Sequence, residues 1–335
     1  MEASFPFILV LIASVFQGSF GVGMKHMEPL KWEAWWLLHA TVAMIVFPLS
    51  WALLVVPDLF GIIAAAPSEA IWTGMLYGFL WGIGGILFGK SIPYIGISLT
   101  YGIVMGVCSA VGCLIPFFQL EEVTGMAAFP YVIGGVLLML IGVAITAYAG
   151  VKRDRLLKQE VDGGSNLKAG LVIALLSGVL SALLNVGFVS AQPVGEIAAE
   201  AGVITRNTSL AVWVVVLLGA YLMNAGYAIF LLFKNKSWAS FSVAGSGKAY
   251  SWSVAAGLLW FGALGVYGQG ATLMGDIGPV IGWPILLGVS LIVSNIWAYL
   301  NKEWDGAKGP FMTLLFGLLI LIVATIVLGY SNGLS

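Results

Sequence analysis

Val151–Asn166 reads VKRDRLLKQEVDGGSN, the one long polar stretch in 335 residues, and it falls near the middle of the chain. Five long apolar segments precede it, at 5–24, 32–56, 70–89, 95–118 and 128–149. Five more follow, at 169–190, 209–233, 250–272, 279–300 and 310–329. Its basic cluster, Lys152, Arg153, Arg155 and Lys158, belongs to a pattern that runs the length of the chain. The first, third, fifth, seventh and ninth gaps between segments hold thirteen of the fourteen Lys and Arg residues, and all other gaps and tails hold only Arg206. Short loops rich in Lys and Arg stay cytoplasmic, because translocating them during insertion is unfavourable. Ten spans with both termini on the outer side follow from that alternation.

Composition agrees. The chain is 60% hydrophobic and 9% charged, too few charges to cover the surface of a soluble domain of this length. Each segment reaches the ~20 residues needed to cross a hydrocarbon core of ~30 Å. Their length and lack of polar/apolar alternation rule out strands, leaving helices that satisfy their own backbone hydrogen bonds. The expected class is therefore an all-α integral membrane protein. A net charge of −1 gives no basis for a nucleic-acid partner. The start, Met-Glu-Ala-Ser-Phe-Pro, has no basic region, so the first segment reads as a mature span rather than a signal peptide.

Several chemistries find no residues to carry them. Cys108 and Cys113 lie five apart on one predicted helix, where their side chains diverge and read as packing groups. His26 and His39 are too few and too isolated for a metal site. There is no P-loop for ATP, and no HExxH, Ser/His constellation or pair of intramembrane carboxylates for an enzyme.

The two sides of the central stretch resemble each other. Gly78-Phe79-Leu80-Trp81 precedes Gly89 as Gly257-Leu258-Leu259-Trp260 precedes Gly268. Ile95-Gly96 and Gly106 recur as Ile277-Gly278 and Gly288, and Glu121 to Tyr148 spans the interval of Glu303 to Tyr330. The order of the matches points to duplication: a first five-helix repeat over 1–150, a cytoplasmic linker at 151–168, and a second repeat over 169–335. Five is odd, so the second copy inserts upside down, and inverted repeats around a midplane site are a transporter architecture. The gaps Ala191–Thr208 and Lys234–Ala249 read as Gly- and Ser-containing loops.

Polar groups inside hydrocarbon are costly and face protein or water. Near the middle of their segments stand Gln17, Trp81, Asn185, Asn224 and Trp260. Gln and Asn both donate and accept, which suits a neutral polyhydroxylated ligand. Trp offers a broad apolar face with one N–H, which suits the C–H face of a pyranose. Toward the outer end of the eighth segment, Tyr267 and Gln269 extend this substrate-binding set. The bland reading is that the amides are interhelical glue and the rings fill space. Lys90 reads as snorkelling to the inner interface.

Glu33 is the one carboxylate within a predicted span. A helical turn sets it beside Trp36, in a partly desolvated place where a carboxyl can exchange protons during transport. The other reading makes it a boundary residue or a partner of Lys31 in an interfacial belt with Trp32, Trp35 and Trp36. His39 is the rival proton carrier, followed by Asp276 at the outer mouth. Gly85/Gly89 and Gly102/Gly106 are spaced for close helix contact, and Pro48 and Pro284 for kinks.

At Trp32-Glu33 with Trp36, Trp81-Gly82-Ile83-Gly84 followed by Gly89, Tyr94-Ile95-Gly96 with Ser98, and Lys302-Glu303-Trp304, the sequence resembles the bacterial L-rhamnose–proton symporter family. That family sits in the drug/metabolite transporter superfamily of ten-helix, inverted-repeat carriers. Ser177-Gly178, Ser181-Ala182 and Ala191-Gln192-Pro193 carry the likeness over essentially the whole chain. It implies import of L-rhamnose or a related 6-deoxyhexose with a proton as coupling ion and no other cofactor. It also implies a multi-pass protein of the bacterial inner membrane, with sugar and lipid as partners, as a monomer or weak homodimer. Gly85-Ile86-Leu87-Phe88 is less polar, and the stretch after Trp260 more Gly-rich, than the family pattern leads one to expect. The alternatives are a metabolite or amino-acid exporter or exchanger of the same superfamily, and a non-transporting membrane sensor.

Overall fold

The computed structural model describes residues 4–157 and 167–334. Lys158 and the rest of 158–166, the middle of the expected linker, lie outside them. The described residues form thirteen α-helices with short 3-10 segments, one π-helical segment and no strand. In order they are α1 (Phe5–Ser19), α2 (Trp32–Thr41), α3 (Phe47–Val55), α4 (Leu59–Ala65), α5 (Ser68–Ile95), α6 (Ile97–Gln119) and α7 (Phe129–Leu156). Then follow α8 (Leu167–Ser190), α9 (Gln192–Glu200), α10 (Thr205–Lys234), α11 (Gly247–Leu273), α12 (Gly278–Leu300) and α13 (Lys308–Ser331). Among the described residues, ten helical stretches are long and apolar enough to cross a membrane, and each coincides with one expected segment. Large apolar side chains such as Leu54, Trp72 and Phe233 stand exposed on them, which is the surface that lipid requires.

The second span is broken where Pro48 requires it. Pro48 has no N–H for the carbonyl one helical turn back, and the preceding Val42–Val46 widens into a π turn. Phe47 N–H then reaches back to the Val42 carbonyl, five residues rather than four, which absorbs the missing bond. By contrast α12 continues through Pro284. Between α5 and α6 the chain turns on Gly96 alone, at φ +77, a left-handed conformation that glycine adopts without steric cost.

Three expectations need correction. Lys90 lies within α5, exposed, and not in a gap. The expected loop at Ala191–Thr208 contains α9, which starts with Pro193 in its first turn, where a missing N–H costs nothing. Gly85 and Gly89 meet nothing within 4 Å, and Gly106 has only ordinary contacts with Leu140 and Val143. The close approaches are elsewhere: a Cβ on Gly78 would lie 2.0 Å from the Val216 carbonyl oxygen, and one on Gly219 would lie 1.9 Å from that of Met75. Backbone touches backbone where α5 crosses α10, so neither position accepts a side chain. Of the pairs read as close contacts, only Gly102 is one, tight against Ala147.

The chain divides into two compact units, Met1–Gly82 with Gly187–Leu273, and Ile83–Val186 with Met274–Ser335. Each draws on both sides of the central polar stretch, and α5 and α8 each pass from one unit to the other. In unit 1, α11 packs on α1, α2 and α10, and α10 also packs on α2, α3 and α9. In unit 2, α7 packs on α6 and α13, and α12 on α6 and α13.

Candidate functional site

Unit 1 gathers most of the expected residues. On α2, Trp32, Trp36 and His39 recur at helical spacing and form one stripe. Trp32 stacks on Trp36 at 5.4 Å between centroids, and Trp36 lies 4.9 Å from His39. Trp35, one turn before His39, stacks on it at 5.4 Å and 6°. From α11, Trp260 presents an edge to His39 at 6.5 Å, and from α5, Trp81 packs on Trp260 at 5.3 Å. Such ring pairs contribute about 0.5–1.5 kcal/mol each beyond their burial, so the row holds three helices in register.

Amides and hydroxyls line this row. Trp36 Nε1 donates to Asn224 Oδ1 at 3.0 Å, and Asn224 Nδ2 donates to the Ala220 carbonyl of its own helix at 2.9 Å. Gly82, the neighbour of Trp81, packs against Met223 and Asn224. The Thr41 and Tyr221 hydroxyls lie 3.4 Å apart. Gln17, on α1, has a buried Oε1 without a hydrogen-bond partner. Three residues beyond it, Phe20 lies 6.2 Å from His39. Trp81, Trp260, Asn224, His39 and the helix bearing Gln17 therefore belong to one neighbourhood.

Glu33 stands at the start of α2 and is only 6% exposed. Its Oε1 accepts hydrogen bonds from the Ser237 hydroxyl and from Asn235 Nδ2, the latter at 3.1 Å. Next to it, the Lys31 backbone N–H donates to Ser240 Oγ at 2.7 Å. The carboxylate is thus a buried acceptor tying α2 to the segment that follows α10, and not a solvated boundary group. Asn235, Ser237 and the Trp36–Asn224 pairing were not foreseen. The first two lie in a gap that reads as a featureless loop, and their contacts cross about 200 residues of sequence.

The remaining candidates make contacts of their own. Tyr267 is fully buried between Phe188 and Trp213, at 6.1 and 6.4 Å, and Gln269 Nε2 donates to Asn207 Oδ1 at 3.0 Å. Seven residues along α11 from Trp260 is about 10 Å, so these form a second cluster within unit 1. Asn185 belongs to unit 2, fully buried. Its Nδ2 donates to the Gly112 carbonyl of α6 at 2.9 Å and to the Pro279 carbonyl of α12 at 3.0 Å. Asp276 is exposed between α11 and α12. Cys108 and Cys113 are free and buried, and no group of three or more metal-ligating side chains occurs among the described residues.

Over residues 4–333 the chain matches the L-rhamnose-proton symport protein (RhaT) family. It is 28% identical over 328 residues to the L-rhamnose-proton symporter of Yersinia pestis (strain Pestoides F), covering 95% of each. The same figures hold for the L-rhamnose-proton symporter of Yersinia pseudotuberculosis serotype O:1b (strain IP 31758). One solved crystal structure superposes with a TM-score of 0.61 over 97% of this chain and 96% of its own, at 14% identity, a likeness of fold alone. With ten membrane-length helices and a family match from end to end, the chain belongs to the L-rhamnose-proton symport protein family and is a multi-pass membrane transporter, not an enzyme.

Proposed function

We propose that this transporter imports L-rhamnose or a related 6-deoxyhexose together with a proton, across a bacterial inner membrane, by alternating access. Support comes from the family match and, on the molecule, from one observation above the others. Trp81 and Trp260 pack on each other in unit 1, their planes tilted by 34°, near the Trp36–Asn224 hydrogen bond. Indole faces suit the C–H side of a deoxysugar, and an amide that both donates and accepts suits its hydroxyls. Gln17 extends the polar side of the same neighbourhood.

The proton is assigned to Glu33. A buried carboxyl that accepts hydrogen bonds from Ser237 and Asn235, with the Lys31 cation nearby, has two states of different charge at one point of the path, which is what coupling requires. Binding of both sugar and proton would precede reorientation, so that the singly loaded carrier crosses unfavourably. On the basic-loop pattern, both termini face outward and Glu33 lies toward the cytoplasmic end. The inverted five-helix repeats would supply the two exchanging halves.

Uptake of labelled L-rhamnose into proteoliposomes, with and without an inward proton gradient, tests this. Accumulation should follow the gradient and be competed by 6-deoxyhexoses. Equal uptake without a gradient would remove the proton; better competition by an amino acid than by L-rhamnose would remove the sugar.

A further inference from the structure

His39 carries chemistry that the proton assignment leaves unused. It is 1% exposed, two turns into the second span, and its Nδ1 is buried without a hydrogen-bond partner. The imidazole also hydrogen-bonds to the backbone of Ser253 on α11. A backbone carbonyl there takes the Nε2 proton, which leaves the lone pair on Nδ1. The rings packed on it, Phe20, Trp35, Trp36 and Trp260, are all uncharged. Nδ1 is therefore a fixed, neutral acceptor in an aromatic setting, adjoining the Trp81–Trp260 pair.

Two neighbouring groups share its condition. Gln17 Oε1 is a second buried acceptor without a donor, on α1 three residues before Phe20, which lies against His39. The Trp35 indole N–H, on the ring stacked over the imidazole, is a buried donor without an acceptor. Leaving a polar atom buried and unpaired is costly, whereas a ligand that pairs it recovers most of that cost. A polyol supplies O–H groups that both donate and accept, and so answers acceptors and donor together.

We propose that His39 is a sugar-recognition residue, whose Nδ1 accepts one ring hydroxyl, and that it does not carry the transported proton. This rests on the reading of the chain as a 6-deoxyhexose carrier. It adds a specificity determinant: the hydroxyl that meets Nδ1 is the one the carrier insists on, since a site built to bond a hydroxyl discriminates strongly against an analogue lacking it.

The test uses proteoliposomes of the full chain and two assays. Counterflow at equal pH on both sides needs sugar binding and reorientation but no net proton movement, and gradient-driven accumulation needs both. Labelled L-rhamnose and its 2-, 3- and 4-deoxy derivatives are compared for wild type, His39→Phe and His39→Gln. His39→Phe, which keeps a ring but no acceptor, should raise the apparent KM for L-rhamnose about ten- to hundredfold in both assays. One deoxy derivative should be carried equally by wild type and His39→Phe, because it lacks the hydroxyl concerned. His39→Gln, which retains an acceptor, should recover part of the loss. If His39→Phe does not assemble, His39→Gln across the same deoxy series decides by the same criterion. Normal counterflow with lost accumulation would overturn the assignment and make His39 the proton carrier. Equal loss for every derivative would reduce it to packing. If wild type carries none of these sugars while another solute is taken up, the sugar reading itself falls, and this assignment with it.

Discussion

Asn185 and Asn224 are the same residue type, each buried in mid-span, and the two units use them differently. In unit 2, Asn185 commits both amide protons to backbone carbonyls of α6 and α12. It acts as a clamp from α8 onto the main chains of α6 and α12. In unit 1, Asn224 shares its oxygen with a side chain, the Trp36 indole, and turns its amide back to its own helix. The bond between the indole and the amide oxygen involves no main-chain group, so a ligand hydroxyl can take its place without disturbing the backbone. The difference separates polar groups that fix helices from polar groups that can be offered to a substrate.

Four substitutions break or sharpen that contrast, in decreasing order of effect. Glu33→Gln keeps the size of the side chain and removes the charge. Gradient-driven accumulation of L-rhamnose should fall about a hundredfold or more while counterflow persists, as expected for loss of a coupling group rather than a binding one. Retained accumulation in that variant would place the proton elsewhere. Trp260→Ala, on the unit 1 side of the comparison, should raise the apparent KM by about tenfold or more through lost stacking, measured by concentration dependence of uptake. Asn185→Leu, on the unit 2 side, should destabilise the purified protein by about 1–3 kcal/mol, because the clamp is gone. Thermal unfolding in detergent would show this, with KM unchanged in the protein that remains folded. A raised KM with normal stability would instead bring Asn185 into the site. Lys90→Ala, exposed on α5, should change stability by less than about 0.5 kcal/mol and leave uptake unaltered.

Glycine contacts show a related limit on reading from spacing alone. Gly85/Gly89 has the same four-residue interval as Gly102/Gly106, yet neither Gly85 nor Gly89 touches anything, while Gly102 is pressed against Ala147. Gly78 and Gly219, which do allow two backbones to meet, lie 141 residues apart in sequence, and no interval connects them. Helix spacing tells which side chains share a face. It says nothing of which face meets a partner.

What the amino-acid sequence determined by itself is the class and number of the spans. A helix in hydrocarbon closes its own hydrogen bonds, so apolar length alone marks it, and all ten segments have their helix. It also singled out Glu33, His39, Trp81, Asn224 and Trp260 as polar or amphipathic groups in places where such groups are costly. It could not show that His39, Trp81, Asn224 and Trp260 form one row, or that Asn185 bonds two neighbouring backbones. It also could not show that Asn235 and Ser237 would hold Glu33, or that α9 would form within an apparent loop. Those outcomes depend on contacts between distant segments, where the directional bonds of one side chain with another choose among faces that are alike in hydropathy. Only the tertiary structure decides them.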